Sequence, residues 1–437
     1  MKNSFGKTLS LGIQHVLAMY AGAIVVPLIV GAALGLSPKE LTYLVSIDIF
    51  MCGAATLLQV WSNKFFGIGL PVVLGCTFTA VSPIIAVGTE YGVSAVYGSI
   101  IASGLLVVLI SFFFGKLAAF FPPVVTGSVV TIIGITLMPV AMNNIAGGEG
   151  SADFGDASNL ILGFIVLAII VLLYRFTKGF LKSISILIGI VFGTGIAFFM
   201  GKVHFDNVAQ ADLFQMVQPF YFGAPSFHVA PIITMFIVAV VSLVESTGVY
   251  FALGDLTNRR LTEKDLAKGY RAEGVAVFLG GIFNAFPYTA YSQNVGLVQL
   301  TGIKKNAVIV VTGAMLMVLG LFPKVAAFTT IIPSAVLGGA MVAMFGMVIA
   351  YGIKMLSRID FGTQENLLIV ACSVGLGLGV TVVPDIFKQL PASITLLTTN
   401  GIVAGSFTAI LLNIIYNMVP KTKKKSSDLD INQKTAV

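Results

Sequence analysis

The sequence predicts an all-α polytopic membrane protein of fourteen transmembrane segments, arranged as two inverted halves of seven. Three observations predict it: a composition that water cannot solvate, a regular succession of apolar stretches, and broken segments at matching places in the two halves. Of 437 residues, 57% are hydrophobic and 10% charged, and the mean hydropathy is +0.99. So little polar surface cannot coat a soluble globule, and lipid must do so instead. The 47 glycines and 16 prolines suit helices in a bilayer, where neighbouring helices re-satisfy the backbone groups such residues free. Continuous apolar runs at 161–173 and 235–244 exclude a β-barrel, whose strands alternate apolar and polar over about 10 residues.

A helical crossing needs ~20 residues. On that measure the spans read 10–33, 41–61, 66–87, 93–114, 118–141, 157–175, 183–201, 229–253, 271–284, 285–300, 306–322, 328–352, 363–382 and 399–419. The stretch from 271 to 300 is the weak place: Gly280, Gly281 and Pro287 interrupt it, neither part makes a full-length helix, and thirteen spans is the alternative. Lys2 and Lys7 precede an apolar stretch longer than the core of a cleaved signal peptide, so it reads as a retained first helix. Of the 25 Lys and Arg, only Lys39, Lys202, Lys324 and Lys388 fall on the predicted outside, which places both termini in the cytoplasm of a plasma-membrane protein. Arg259, Arg260, Lys264, Lys268 and Arg271 load one inner loop, and a basic tail with Lys421 and Lys423 to Lys425 closes the chain. The net charge of +7 is thus a matter of topology, and its scatter over short loops argues against nucleic acid as a partner. Cys52, Cys76 and Cys372 stand apart in apolar segments and suggest neither a disulfide framework nor a metal.

Internal symmetry supports the inverted halves. Pro71, leading through Thr77 and Phe78, matches Pro287, leading through Ser292, Gln293 and Asn294; Pro122 and Gly127 match Pro333 and Gly338 at nearly the same offset. Repeats with seven spans each, an odd number, must lie inverted, and broken segments in matching positions are where such transporters bind their cargo.

Ionisable side chains inside apolar spans cost ~2.5 to 3.5 kcal/mol each at a helix centre and usually line a cavity. They are His15 in span one, Asp48 in span two, Glu245 in span eight and Glu273 at the start of span nine. Glu245 sits among Ser242, Ser246, Thr247 and Gly248, and a structural hydrogen-bond partner is the lesser alternative. His15 has packing as a stronger alternative, Asp48 is undecided, and Glu273 could be an interfacial charge beside Arg271. The breaks after Pro71 and Pro287 free backbone groups near mid-membrane, which is tolerated only where they meet protein or a cavity. A polar planar ligand could satisfy them, with donors at a half-helix N-terminus, a side-chain amide and an aromatic face close by.

Gln293-Asn294-Val295-Gly296 through Thr301-Gly302 matches the signature of the nucleobase-ascorbate transporters, or nucleobase cation symporter family two. Gln14-His15 resembles the family's motif in span one, and Glu245 stands where its span-eight carboxylate stands. The resemblance covers residues 9–420 and looks closest to the family's bacterial xanthine permeases. It implies a core domain (1–116 and 229–323), a gate domain (117–228 and 324–420) and a cytoplasmic tail (421–437), with substrate held between core and gate. It further implies proton-coupled uptake of a purine, xanthine or urate, with no cofactor beyond the proton. Glu245 and Gln293 would hold the base edge, Phe78 would stack on the base, Ser292 would add backbone contact, and His15 and Glu273 would serve affinity or coupling. Thr77 and Asn294, beside them in the breaks, complete the candidate substrate-binding set. Glutamine at 293 is typical of purine-selective members and glutamate of uracil-selective ones. Relatives usually dimerise through the gate domain, and that homodimer has no sequence feature of its own here. Val249 departs from relatives with a polar Asp or His four residues after the glutamate, and Glu273 replaces an Asp found in some; both put the proton route in doubt.

Two other classes compete. An anion carrier of the same broad fold is disfavoured by an acidic group in the site, which repels anions while ionised. An intramembrane enzyme would need a nucleophile or metal motif such as H-E-x-x-H or G-x-S-x-G, and the chain has none.

Overall fold

The computed structural model describes residues 5–418 except 118–120, 303, 388, 392–394 and 396–397. Lys2, Lys388 and the basic tail from Lys421 lie outside the described residues. The first half comprises α1 (Phe5–Ala33), α2 (Pro38–Val60), a broken third segment made of β1 (Leu74–Cys76) and α3 (Val81–Tyr91), α4 (Val93–Leu117), α5 (Pro123–Ile145), α6 (Ala157–Phe176), the short α7 (Phe180–Ser183) and α8 (Ser185–Phe199). After a short α9 (Asp206–Gln210), the second half runs through α10 (Val229–Thr257), α11 (Glu263–Ile282), a broken tenth segment made of β2 (Tyr288–Ala290) and α12 (Ser292–Thr301), then α13 (Asn306–Gly320). It ends with α14 (Pro323–Thr330), α15 (Ser334–Leu356), α16 (Gln364–Val382) and α17 (Gly401–Asn413). Each of the fourteen expected segments therefore has a counterpart. Nine described helices are long and apolar enough to cross alone, or ten if α13 and α14, bent by 80°, form one span. The others are broken, short, or charged at one end.

Local chemistry sets the boundaries. Ser37 and Glu40 form a reciprocal capping box ahead of α2, with Pro38 in its first turn, where a missing N–H costs nothing. Thr262 and Asp265 do the same for α11. This corrects the ninth span: it starts at Glu263 rather than 271 and reaches 20 residues, because a cap and not the apolar content decides where a helix begins. The tenth segment breaks as expected. Asn284 turns left-handed at φ 60°, and Pro287 then denies the chain a helical N–H.

Packing follows the internal symmetry. The contact of α2 with α13 is matched by that of α4 with α11, α1 with α13 by α10 with α4, and α6 with α15 by α16 with α5; each pair maps onto its mate when a span is exchanged for the one seven later. Small residues allow the close approach. A Cβ at Gly53 of α2 would stand 2.7 Å from the Met317 nitrogen of α13, and one at Gly104 of α4 would stand 2.8 Å from Phe278 Cα of α11. Two packed groups result, one from α1–α4 and α10–α13, the other from α5–α8 and α15–α17. This fold is the seven-plus-seven inverted repeat.

Candidate functional site

The two broken segments cross at the centre of the first group. β1 and β2 pair antiparallel, with Leu74 opposite Ala290, Gly75 opposite Thr289 and Cys76 opposite Tyr288. The backbone bonds Thr77 N to Pro287 O (2.9 Å) and Tyr291 N to Val73 O (3.0 Å) extend the pairing on either side. So the strands satisfy most of the polar groups that the prolines free. Beyond the strands the chain resumes as helix in both segments, first as a 3₁₀ turn at Phe78–Ala80 leading into α3, then as α12. Two half-helices thus begin at one place, each presenting its N–H end and the positive end of its dipole.

Helix α10 lies across the crossing and ties to both strands. Ser242 Oγ donates to Thr77 Oγ1 at 3.3 Å, the Ser246 and Thr289 hydroxyls are 3.2 Å apart, and Ala290 N donates to Ser246 Oγ at 3.0 Å. Residues 242, 245 and 246 share a face of α10, so these serines aim the Glu245 carboxyl at the crossing. It lies close to the side chains of Thr79 and Thr289 and is half-buried, whereas both serines are buried.

The remaining predicted residues divide by what they touch. Gln293 is half-buried in the first turn of α12; its side-chain amide makes no hydrogen bond with any described residue and remains available. Phe78 is 8% exposed and meets Phe345 of α15 edge to face, with ring centroids 5.4 Å apart. Ser292 lines a cavity of about 540 Å³ between the two groups, bounded also by Thr126, Gly248, Phe251, Tyr351 and Arg358. Thr77 and Asn294, by contrast, are committed to the scaffold. Thr77 is fully buried, capping Thr79 N at 3.3 Å while it receives Ser242. The Asn294 amide donates to His15 Nδ1 at 3.0 Å and to His15 O at 3.1 Å, which joins α12 to α1 and accounts for His15 as well.

Glu273 is not the interfacial charge that its position beside Arg271 suggested. It is 1% exposed and accepts from the Tyr250 hydroxyl, while Arg271 turns to the Ala267 carbonyl and the Phe112 ring, 4.6 Å from its centroid. Tyr250 in turn accepts from Gln59 Nε2 at 2.6 Å, and Gln59 Oε1 receives Ile68 N at 3.0 Å. A polar line thus runs from α2 through α10 to α11, and Val249, packed at 1% exposure, has no part in it. The cysteines also differ from their sequence picture: Cys52 and Cys76 come within 3.8 Å, sulfur to sulfur, as free buried thiols. Sequence reasoning missed the roles of Ser242, Ser246, Tyr250, Gln59 and Phe345. The two serines had a signal in their spacing around Glu245, but the other three act across elements and had none.

The Permease family profile matches residues 6–386. A xanthine permease of Bacillus subtilis is 84% identical over 438 residues, covering all of both chains. The chain belongs to the nucleobase-ascorbate transporter family. Another member, the uric acid permease PucK of Bacillus subtilis, is 63% identical over 417 residues, 95% of this chain and 96% of that one. Among solved structures, the transmembrane domain of a cyanobacterium bicarbonate transporter, BicA, superposes with a TM-score of 0.63 at 17% identity, over 86% of this chain and 97% of that one. This likeness shows a shared fold. For a family member of this fold, the cavity beside Ser292 lies where two groups of helices meet.

Proposed function

We propose that this multi-pass permease takes up xanthine together with protons across the plasma membrane, by alternating access and with both termini cytoplasmic. The observation that carries the reading is that Phe78 and Gln293 open the helices that follow the two paired strands while Glu245 lies beside Thr79 and Thr289, and Gln293 alone of the polar signature pair keeps its amide uncommitted. A purine would lie with its edge against Glu245 and Gln293 and its face near Phe78. Ser292 would contribute the N–H end of α12. Ring N–H groups of the base and a proton compete for the same Glu245 oxygens, which is how one carboxyl can link substrate to coupling. Glu273, His15 and the scaffold residues Thr77 and Asn294 act through the shape and charge of this site.

The first group then serves as the core domain and the second as the gate, with the purine between them. The cavity beside Ser292 reaches exposed Asp255, Lys354 and Arg358, on the side that the basic loops assign to the cytoplasm. At the other side, Tyr43 stacks on Tyr221 at 3.7 Å and donates to Gln218 O at 2.8 Å. This asymmetry supports an inward-open state. Xanthine is favoured over urate because the relative at 84% identity is called a xanthine permease and the one at 63% a uric acid permease. Homodimerisation through the gate domain belongs to the same reading. Radiolabelled xanthine uptake into proteoliposomes, with and without an imposed pH gradient and with urate, uracil and hypoxanthine as competitors, tests class, substrate and coupling together. Uptake indifferent to all four bases would overturn the proposal.

A further inference from the structure

Asp48 lies midway along α2, fully buried, beside the Cys76–Tyr288 pair of the strand crossing, whereas Ser242 and Ser246 of α10 meet Thr77 and Thr289. Asp48 Oδ1 accepts from Phe286 N at 2.7 Å. That N–H lies beyond the end of α11 at Ile282 and before the strand, and left unmet at this depth it would cost several kcal/mol. The Cys76 thiol, at the end of β1, lies against the same carboxyl, and Cys76 pairs with Tyr288 across the strands. Two turns further along α2, Thr56 Oγ1 receives Leu74 N at 3.0 Å and holds β1. The Phe286 ring stacks with Tyr97 at 6.3 Å. Asp48 Oδ2 and the Tyr288 hydroxyl, both buried, have no partner among the described residues. The carboxyl therefore holds the two broken segments at the point where the second turns from loop to strand.

We propose that Asp48 is a positioning residue for substrate selection: by fixing the register of Phe286 and β2, it sets where α12 begins and so where Gln293 meets the base. The serines of α10 hold the crossing at Thr77 and Thr289, and Asp48 with Thr56 holds it at Phe286 and Leu74. No contact between Asp48 and substrate is involved. The proposal rests on the reading of Gln293 as the base reader, and its test therefore includes a measurement that needs no substrate.

Asp48→Ala leaves Phe286 N–H without an acceptor, whereas Asp48→Asn keeps a carbonyl oxygen at the same reach. In purified protein, hydrogen–deuterium exchange of the peptide spanning 284–294 is expected to accelerate roughly tenfold or more in Asp48→Ala, from the loss of one buried hydrogen bond, and to return most of the way to wild type in Asp48→Asn. In proteoliposomes, Asp48→Ala is expected to raise the apparent KM for xanthine about tenfold with a smaller change in maximal rate, and to flatten the ratio of xanthine to urate inhibition constants. If Asp48→Ala does not reach the membrane, Asp48→Glu takes its place, since an added methylene displaces Phe286 and should shift the same ratio. Unchanged exchange across 284–294, or an Asp48→Asn variant as impaired as Asp48→Ala or Asp48→Glu, overturns the proposal. Altered exchange in a protein whose wild type is not inhibited by any base would sustain the positioning role and remove the purine reading alone.

Discussion

Replacing Glu245 with glutamine tests the proposed coupling most directly. The substitution preserves size and keeps a hydrogen-bonding head group, but that group no longer titrates. In the structure the carboxyl is placed by the serine-lined face of α10, is half-buried and lies beside Thr79 and Thr289. Each bond from a ring N–H to an ionised carboxylate contributes about 1.5–3 kcal/mol. Glutamine retains one acceptor and turns an N–H toward a substrate N–H, which amounts to a loss of about 2–4 kcal/mol, or roughly a 30- to 1000-fold rise in apparent KM. Accumulation should fail altogether. One pH unit sustains about tenfold accumulation for each symported proton, whereas a carrier without the titrating group should only equilibrate its substrate. The assay is xanthine accumulation in proteoliposomes at matched protein levels, with exchange of labelled against unlabelled xanthine at high concentration to show that Glu245→Gln still binds. If Glu245→Gln concentrates xanthine against its gradient under an imposed pH gradient, Glu245 is not the coupling carboxyl.

Gln293→Glu replaces a donor–acceptor pair with acceptors alone, so competition should shift from xanthine toward uracil-like bases; an unchanged inhibition profile would show that another residue reads the base edge. Phe78→Ala removes a stacking face worth ~1–3 kcal/mol at other base-binding aromatics, and a rise in KM of roughly 5- to 150-fold is expected, together with loss of the contact to Phe345. Asp153 sits in the loop before α6, where the Asn159 amide and then the Lys202 ammonium hold its carboxyl below the usual range, with Lys202 Nζ 3.2 Å from its Oδ2. A depressed folded-state pKa contributes stability above the unfolded value of about 4 and loses it as pH falls through the folded one. Melting curves of Asp153→Asn should therefore show a slightly smaller drop than wild type between about pH 5 and about pH 3, and an equal or larger drop would refute the pairing; the effect is small because the group is exposed.

Membrane residence, the number of segments, the two breaks and the duplication could all be read in the amino-acid order, because hydropathy and the backbone limits of proline and glycine act within a few residues. Pro71 and Pro287 announced the two breaks, though not that the broken segments pair as strands, and the signature from Gln293 to Gly302 announced the family. What each polar residue does there was decided only by tertiary structure. Gln293 and Asn294 are neighbours in sequence, yet the turn of α12 leaves the first uncommitted and gives the second to His15, which is 279 residues away in the chain. Thr77 looked as available as Phe78 until Ser242 claimed its hydroxyl. Glu273 looked interfacial because the helix start was placed at 271, and the cap at Thr262 instead puts it about two turns deeper, against Tyr250. Asp48 had no sequence neighbour to explain it, since the N–H it satisfies belongs to Phe286 in the other half of the chain. Hydrogen-bond partners in a bilayer must come from protein, and at this site Asp48, His15 and Thr77 each find one in the other half, in Phe286, Asn294 and Ser242.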